Sequence, residues 1–218
     1  MAIYYEKIAE AIETDSRVLD LGCGDGEYSG IKVTGFDGKE LVGLDLNAEL
    51  LAQNEYCDHR VLGDAQVLPF ADGVFDLVLT RALFEHLTNP KAAIAEIGRV
   101  LKPGGKVILG TYNRLNPLGF FSSSISAKTR AALKKVFAHT ELLEGNYEAY
   151  YRCNTGGKLK RTFRKHGVEP ILISYQDIGL RWLKRPVMKF LIDSFQKVTN
   201  ITFLRCFKFE VFYMGIKK

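Results

Sequence analysis

Glycines alternate with other residues directly after a short apolar stretch near the start of the chain. Residues 17–21 read RVLDL, and Gly22, Gly24 and Gly26 follow. An apolar run that ends in glycines predicts a buried strand leading into a tight turn. Because glycine has no side chain, a ligand can approach its backbone closely. The turn is therefore a candidate ligand site, although a strand-to-helix turn without a ligand has the same pattern.

Two carboxylates follow the next two apolar stretches. Asp45 lies 19 residues after Gly26, and Asp64 follows the stretch 59–62. An acid about 20 residues after such a turn can accept hydrogen bonds from a ribose diol. The second acid could accept a hydrogen bond from an exocyclic amine such as that of adenine. Glu27 stands where a dinucleotide site needs glycine, and its charge would repel a pyrophosphate. The pattern therefore predicts a ligand with a ribose but no pyrophosphate.

These side chains need a scaffold that brings the ends of several strands together. Apolar stretches predict strands at 17–21, 40–46, 59–62, 75–80, 106–111, 170–175 and 206–216. Helical periodicity predicts helices at 3–13, 82–87, 91–101, 155–166 and 180–198. Strands that alternate with helices predict a mostly parallel α/β sheet. In such a sheet, ligands bind in the crevice beyond the carboxyl ends of the strands.

Composition and charge narrow the classes of function. The chain has 218 residues, of which 47% are hydrophobic, which favours one folded domain over a disordered chain. Its four cysteines form no CxxC pair and no metal-ligand constellation occurs, so we expect no disulfide framework, no metal site and a reducing cytosol. Residues 1–110 carry a net charge of −8 and residues 111–218 carry +13. A basic surface is usually just solvated, and it also suits an anionic substrate, a membrane surface or nucleic acid.

Five motifs, in a fixed order, resemble those of the class I S-adenosylmethionine-dependent methyltransferases. VLDLGCGDG is similar to the first motif of that family, LVGLDLN to the second and GDAQVLPF to the third. FDLVLTRALFEHL and RVLKPGGKVIL are similar to the last two, so the resemblance covers roughly residues 17–111. The most similar branch includes small-molecule enzymes of quinone biosynthesis. Residues 150–155 and the basic helix after them resemble methyltransferase-like proteins encoded beside bacterial cell-surface glycan genes.

The resemblance implies a fold and a cofactor. The fold is a doubly wound, Rossmann-like α/β sheet of seven mostly parallel strands, with helices on both faces and the last strand antiparallel. The strand order is 3-2-1-4-5-7-6. The cofactor is S-adenosylmethionine. The whole chain, 1–218, would be one methyltransferase domain, with 17–111 as the cofactor-binding core and two insertions over the acceptor site, at 112–154 and 176–204.

The resemblance also assigns residues to the methionine portion of the cofactor. Gly22, Gly24 and Gly26 would contact it through their backbone. Asp20 would orient its ammonium group, and Arg81 would line this end of the site through its carbonyl. Cys23 is interpreted as a small residue of which only the backbone matters.

Four further residues are assigned to the nucleoside portion. Asp45 would hold the ribose diol, with Leu46 against the adenine ring. Asp64 would accept from the adenine amine, and the Ala65 amide would donate to a ring nitrogen.

The acceptor side is less constrained by the sequence. His86 is a candidate general base, or a helix histidine that hydrogen-bonds nearby backbone. Glu85 is predicted to be a solvated helix residue. Tyr150, Tyr151 and Arg152 form an aromatic and basic cluster, which predicts either a substrate lid or ordinary packing beneath a loop.

The predicted function is methyl transfer from S-adenosylmethionine to a small-molecule, glycan or lipid-linked acceptor. The basic residues of 158–165 surround Leu159 and Phe163, so this helix is expected to pack on the sheet with a solvated cationic face. Residues 181–197 repeat the pattern and could lie on a membrane surface, or pack on the core as well. A non-catalytic S-adenosylmethionine-binding protein and a transfer-RNA methyltransferase are the alternatives. Without a recognised nucleic-acid-binding module, nucleic acid is the weaker expectation. The expected location is cytoplasmic, with peripheral contact to the inner membrane surface as a variant, and the sequence indicates no oligomeric state.

Overall fold

One seven-stranded sheet organises the part of the chain that the computed structural model describes, which is residues 2–27, 31, 34–35, 38, 40–116, 148–176, 193–195 and 197–218. Its strands are β1 (Arg17–Leu21), β2 (Glu40–Asp45), β3 (His59–Leu62), β4 (Phe75–Arg81), β5 (Leu101–Tyr112), β6 (Val168–Gln176) and β7 (Glu210–Lys217). They lie in the order β3-β2-β1-β4-β5-β7-β6. The pairs from β3 to β5 are parallel, whereas β7 is antiparallel to both β5 and β6. The predicted fold class and strand order are confirmed.

Helices cover both faces of the sheet. They are α1 (Ala2–Ala11), α2 (Ala48–Gln53), α3 (Pro90–Val100) and α4 (Gly156–Lys165). Alternate residues of each strand point to opposite faces, which gives the sheet two apolar layers. Tyr4 and Ile8 of α1 lie in one buried cluster, whereas α3 and α4 contribute to the other. In that second layer Phe163 stacks on Tyr213, with 4.6 Å between the ring centroids.

The sequence EIGRVLKPGG, residues 96–105, has a structural role that bears on the site. Arg99 of α3 pairs with Glu96 at 2.8 Å and donates to the carbonyls of Leu68 and Phe70. Glu96 in turn accepts from the Leu68 amide at 2.7 Å. These bonds fix the loop after β3, which is the loop that carries Asp64.

Strand β5 begins earlier than the sequence predicts. Pro103, Gly104 and Gly105 were expected to separate a helix from a strand beginning at 106. Instead, Leu101 already pairs with Phe75, and Lys106 pairs with Leu77. The register is irregular between these two pairs, where β5 contains the two glycines. Gly104 has a φ of 80°, as a glycine in a β-bulge can have. A glycine that ends a helix gives the same sequence pattern, so the sequence does not distinguish the two.

Strand β7 begins later than predicted, at Glu210 rather than 206. A 3-10 helix, Thr202–Phe207, precedes it. The buried side chain of Asn113 donates to the carbonyls of Cys206 at 2.6 Å and Lys208 at 2.8 Å. Because a side chain from the end of β5 uses these carbonyls, they are not part of a strand ladder.

Two other predicted elements have different outcomes. Residues 82–87 form turns and not a helix. The predicted helix 180–198 lies largely outside the described residues, within which 193–195 and 197–199 are helical. The predicted insertions 112–154 and 176–204 include 117–147 and 177–192, which are also outside them, so the division into core and insertions stays a prediction. In the described part of the chain, no helix has the length and apolar character needed to cross a bilayer.

Candidate functional site

The glycine turn, residues 22–26, lies at the carboxyl end of β1, in the middle of the sheet. Gly22, Gly24 and Gly26 have φ values of 75°, 48° and 85°. A Cβ at residue 26 would lie 2.6 Å from the Tyr56 ring, and one at residue 22 would lie 3.0 Å from Leu83. The positive φ and the close neighbours together explain why two of these positions exclude side chains.

Strand β2 and its following residues hold this turn in place. The amides of Gly22 and Cys23 both donate to the Leu44 carbonyl, at 2.7 and 3.2 Å. The Gly24 amide donates to Oδ2 of Asp45 at 2.8 Å. Oδ1 of the same carboxylate accepts from the Asn47 amide at 2.8 Å. Asp45 is therefore oriented by two backbone amides, and each of its oxygens keeps a second acceptor position, which is what a vicinal diol requires.

Asp64 stands beside Asp45 at the end of the neighbouring strand. The Gly63 amide donates to the Asp45 carbonyl at 3.0 Å, which joins the two strand ends. The Asp64 carboxylate accepts from the amide and the side chain of Gln66, at 2.9 and 3.0 Å. An adenine amine bound here would share this carboxylate with Gln66.

Apolar side chains next to these acids are unusually exposed. Leu46 is 73% exposed and Val67 is 74% exposed, while Leu62 at the end of β3 is also largely exposed. Ala65 lies buried between them. Exposed aliphatic side chains beside half-buried carboxylates form a surface that suits one face of a purine ring. The site residues predicted for the nucleoside thus lie together.

Asp20 and Arg81, assigned to the methionine end, occupy the ends of β1 and β4. Asp20 is buried, and together with burial it raises the pKa of Tyr4 above its ordinary value, burial having the larger effect. The Arg81 side chain donates to the Tyr5 hydroxyl at 2.7 Å and lies 3.5 Å from Glu210. Its guanidinium therefore attaches α1 to the sheet, which leaves the backbone carbonyl as the part of Arg81 to which the predicted role applies.

The turns of 82–87 bury a carboxylate that the sequence places in solvent. Ala82 has a φ of 53°, and the Asn89 amide donates to Gln66 instead of to a helical carbonyl. The prediction that Glu85 is a solvated helix residue is wrong, because its side chain is only 1% exposed. Burial raises the pKa of Glu85 above its ordinary value. The predicted helix does not form, and in the turns that replace it the Glu85 side chain lies against Thr111.

Glu85 ends a short chain of buried polar groups. Its Oε2 accepts from the Thr111 hydroxyl at 2.7 Å, and Asn154 donates to that hydroxyl oxygen at 2.5 Å. Its Oε1 is buried and has no hydrogen-bond partner within the described residues. No feature of spacing in the sequence links these three residues, which come from three separate segments.

His86 lies where 82–88 meets 148–154; we call these two segments the paired loops. Its Nδ1 lies 2.9 Å from the Glu148 carbonyl. The amides of Tyr150 and Tyr151 donate to the Glu85 carbonyl at 2.6 and 3.2 Å. The predicted lid residues are therefore beside the candidate base.

The three lid residues differ in exposure. Tyr151 is buried and has a φ of 49°, whereas Tyr150 is half-buried and its hydroxyl donates to the Glu148 carboxylate at 2.8 Å. Arg152 lies over the Tyr150 ring, 5.2 Å from its centroid, and donates to the Thr88 carbonyl. Tyr151 is thus packed beneath the loop, while Tyr150 and Arg152 present their side chains at its surface.

The described residues contain no group of three or more histidines, cysteines and acids that could hold a metal ion. The site instead offers carboxylate acceptors for a nucleoside, a glycine turn whose backbone a ligand could approach, and His86 between the paired loops.

A methyltransferase domain family matches residues 19–109, which includes the glycine turn, both acids and the 82–88 loop. The chain is 36% identical over 118 residues to a ubiquinone biosynthesis O-methyltransferase of Dechloromonas aromatica, covering 51% of this chain and 50% of that protein. It is 33% identical over 135 residues to a malonyl-[acyl-carrier protein] O-methyltransferase of Methylococcus capsulatus, covering 58% and 45%. The chain spans about half the length of these two relatives.

Solved structures share the whole fold at low identity. An S-adenosylmethionine-dependent methyltransferase from Mesorhizobium loti has a TM-score of 0.64 at 14% identity, with 97% of this chain and 96% of that one covered. The YcgJ protein of Bacillus subtilis has a TM-score of 0.60 at 17% identity, with 100% and 99% covered. At these identities the likeness establishes the architecture.

The sheet order and the glycine turn at its central strand are those of a Rossmann-like α/β fold. The matched family makes the assignment more specific: residues 19–109 are a methyltransferase domain, and the fold is that of the class I S-adenosylmethionine-dependent methyltransferases. The cofactor that this family implies, S-adenosylmethionine, fits the residues present. Asp45, oriented by two amides, and the exposed aliphatic side chains beside it suit the nucleoside, and a turn with glycine at positions 22, 24 and 26 suits the methionine portion.

Proposed function

We propose that this protein transfers the methyl group of S-adenosylmethionine to a nucleophilic oxygen, nitrogen or carbon atom of a small acceptor. The observation that carries the proposal is the meeting of the glycine turn with Asp45 and Asp64 at one end of the sheet. Names of O-methyltransferases among the relatives support an oxygen nucleophile. A transfer of this type depends mainly on alignment of the reacting groups, which a rigid strand-end site supplies.

The roles of individual residues follow from their surroundings. When bound, the cofactor supplies an electrophilic methyl group. Asp45, held by two amides, accepts from the ribose hydroxyls, and Asp64 accepts from the adenine amine. The paired loops stand beyond the end of β4, on the side where the methionine portion would end, and form the wall of the acceptor site.

His86 is proposed as the proton acceptor for an acceptor hydroxyl. A carbonyl oxygen can only accept, so an Nδ1–H donates to Glu148 and the neutral ring keeps its lone pair on Nε2. That lone pair can take the proton as the methyl group is transferred. A histidine held in this tautomer by a backbone carbonyl is oriented before any acceptor arrives.

The acceptor is proposed to be anionic, either a free small molecule or one linked to a lipid or glycan. Helix α4 buries Leu159 and Phe163 and exposes Lys158, Lys160, Arg161 and Lys165. It begins directly after the paired loops, and Lys158 Nζ lies 3.4 Å from the Arg152 carbonyl. A cationic surface beside an acceptor wall would attract an anion over roughly 8 Å in physiological salt. An anionic membrane surface would be attracted in the same way.

Calorimetry with S-adenosylmethionine, S-adenosylhomocysteine and NAD tests the cofactor assignment. The first two should bind and NAD should not, because Glu27 lies where its pyrophosphate would be. Tight NAD binding, or no S-adenosylhomocysteine binding at millimolar concentration, would refute the assignment. Mass spectrometry of metabolites, lipids and glycans from a deletion strain then identifies the unmethylated acceptor. Cofactor binding without any changed metabolite would favour a non-catalytic binding protein instead.

Two charge-matched variants test the role of α4. Lys160→Gln/Arg161→Gln removes two charges beside the paired loops, and Arg60→Gln/Lys218→Gln removes two exposed charges outside the predicted insertions. The first should raise the KM for the acceptor at low salt, with cofactor affinity unchanged, and the second should not. Sedimentation with vesicles of anionic or neutral lipid separates a membrane-borne acceptor from a free one. Methylation of transfer RNA, weakened by salt, would contradict the small-acceptor proposal.

A further inference from the structure

Two cysteine side chains face each other across a glycine of the central sheet. A Cβ at Gly43, on β2, would lie 2.5 Å from Sγ of Cys57 and 2.8 Å from Sγ of Cys23. Both sulfur atoms therefore occupy the space that any other residue at position 43 would fill. Cys23 belongs to the glycine turn, and Cys57 belongs to the loop before β3. The two thiols come from segments more than 30 residues apart and meet only in the folded protein.

The loop that carries Cys57 already supports the glycine turn. Asn54 is completely buried, and its Nδ2 donates to the Gly24 carbonyl at 3.1 Å. Its Oδ1 accepts from the amides of Tyr56 at 3.0 Å and Cys57 at 3.3 Å. The Tyr56 ring also limits the space at Gly26. A displacement of residues 54–57 is therefore transmitted to the turn through Asn54 and Tyr56.

The two thiols differ in how an oxidant reaches them. Cys23 is 5% exposed, whereas Cys57 is partly exposed. A hydrogen bond with the Cys57 side chain, together with burial, raises the pKa of the Cys23 thiol far above its ordinary value. Because the thiolate is the reactive form, Cys23 is protected from direct attack by an oxidant. Cys57 is the thiol that a solvent-borne oxidant meets first.

We propose that Cys23 and Cys57 form a reversible disulfide that lowers the affinity of the site for S-adenosylmethionine. The oxidant is a peroxide. The Cys57 thiolate attacks one peroxide oxygen and the O–O bond breaks. Hydroxide departs, and Cys57 becomes a sulfenic acid. Cys23 sulfur then attacks the Cys57 sulfur, the S–O bond breaks, and the hydroxyl leaves as water with the Cys23 proton. In total, two thiols and one hydrogen peroxide give one disulfide and two waters.

The affinity change follows from geometry and rests on the proposed cofactor site. A disulfide brings its sulfurs to about 2.05 Å and its Cα atoms to roughly 5.5–6 Å. Closing the gap over Gly43 therefore draws the 54–57 loop and residue 23 together. The amides of residues 22 and 23 donate to the Leu44 carbonyl, and the amide of residue 24 donates to Asp45, so residue 23 lies within this group. Movement there changes both the turn and the orientation of the carboxylate proposed to hold the ribose.

Peptide mapping and calorimetry on three proteins test the proposal. Wild type, Cys57→Ser and Cys206→Ser are treated with hydrogen peroxide, quenched with N-ethylmaleimide and digested without reductant. Cys206→Ser is the matched control, because residue 206 is also partly exposed but lies in the 3-10 helix before β7. A peptide linking residues 23 and 57 should form in wild type and Cys206→Ser. Both should lose at least tenfold in S-adenosylhomocysteine affinity and regain it with dithiothreitol. Cys57→Ser should do neither.

In a thiol–disulfide redox buffer, saturation with S-adenosylhomocysteine should lower the equilibrium fraction of the linked peptide, since coupling between two sites is reciprocal at equilibrium. Absence of the linked peptide in oxidised wild type would overturn the proposal, and so would a linked protein that binds S-adenosylhomocysteine as tightly as the reduced one. Failure of the reduced wild type to bind S-adenosylhomocysteine would instead refute the proposed cofactor site. The peptide map does not depend on the cofactor, so the two failures are distinguishable.

Discussion

The cofactor edge of the sheet and the paired loops are built in opposite ways. The cofactor edge consists of the glycine turn, Asp45 and Asp64, which follow three strands within one stretch of the chain. The paired loops join residues far apart in sequence, since His86 and Glu148 are 62 positions apart and Thr88 and Arg152 are 64 apart. A strand end has the same relation to its neighbours in any doubly wound sheet. A contact between two loops exists only when both have their final conformation.

Their acids differ in the same way. Asp45 and Asp64 are half-buried, and exposed aliphatic side chains lie next to them in the chain. Glu85 is enclosed, with Thr111 on one oxygen and no partner within the described residues on the other. The first pair is arranged for a ligand from solvent, whereas Glu85 contributes to the packing of the wall. Variants in one region should therefore leave the other largely unaffected.

Asp45→Ala should have the largest effect on the cofactor edge. It removes an acceptor from the ribose and from the Gly24 and Asn47 amides, so S-adenosylhomocysteine should bind more weakly by about 1–3 kcal/mol. Calorimetry measures this, with Asp45→Asn, which retains one acceptor oxygen, as the milder control. Unchanged affinity in the alanine variant would refute the proposed position of the ribose.

Glu85→Ala should affect the paired loops instead. The Thr111 hydroxyl would lose its buried acceptor, so the free energy of unfolding should fall by about 1–2 kcal/mol. Chemical denaturation measures the loss. At pH 4, where wild type keeps the Glu85 proton, Glu85→Gln retains an acceptor oxygen and a similar shape and should stay within about 0.5 kcal/mol of wild type. A loss of cofactor affinity in Glu85→Gln as large as in Asp45→Ala would show that the two regions are not independent.

The pH dependence of stability should distinguish Glu85 from an acid in an ion pair. Burial raises the pKa of Glu85, so the folded state keeps a proton that the unfolded chain loses above about pH 4.3. This group therefore contributes stability below that pH and loses it as pH rises towards its folded pKa. Denaturation of wild type and Glu85→Gln from pH 4 to 8 should show this loss in wild type alone.

Glu96 provides the opposite control. The hydrogen bond from Arg99 lowers the pKa of Glu96, so its contribution is present above the unfolded pKa and lost as pH falls. Glu96→Gln should accordingly lose less stability than wild type as the pH falls. If the two variants changed the pH dependence of stability in the same direction, the raised pKa of Glu85 would be contradicted.

Tyr5→Phe should have a smaller effect on stability than Glu85→Ala. It removes the hydrogen bond from Arg81 that helps attach α1 to the sheet, which should cost about 0.5–1 kcal/mol of unfolding free energy. Tyr150→Phe removes a hydroxyl bonded to the exposed Glu148 and should change stability less. Thermal unfolding compares the stability of the two variants. An equal loss would mean that the partly buried hydrogen bond at Tyr5 stabilises the fold no more than the exposed one at Tyr150.

Local patterns predicted the strands of the cofactor core closely. The predicted β1 and β3 agree with the structure, and β2 and β4 differ by a single residue, because each is a short apolar run with a clear end. The prediction was poorer where side chains use backbone groups. Asn113 takes the carbonyls before β7, and a glycine-containing bulge extends β5. Neither is visible in a periodic pattern.

By itself, the sequence determined the class of fold, the order of strands through its family resemblance, and which strand ends carry the glycine turn, Asp45 and Asp64. These features depend on local periodicity and on a rule that places parallel strand ends together. Only the tertiary structure decided that Glu85 is buried, that Arg81 holds α1, and that Cys23 meets Cys57 across Gly43. Each of these depends on a side chain meeting a group from a distant segment. Whether a polar or reactive side chain is exposed, charged or paired is fixed by those distant neighbours, and not by its position in the sequence.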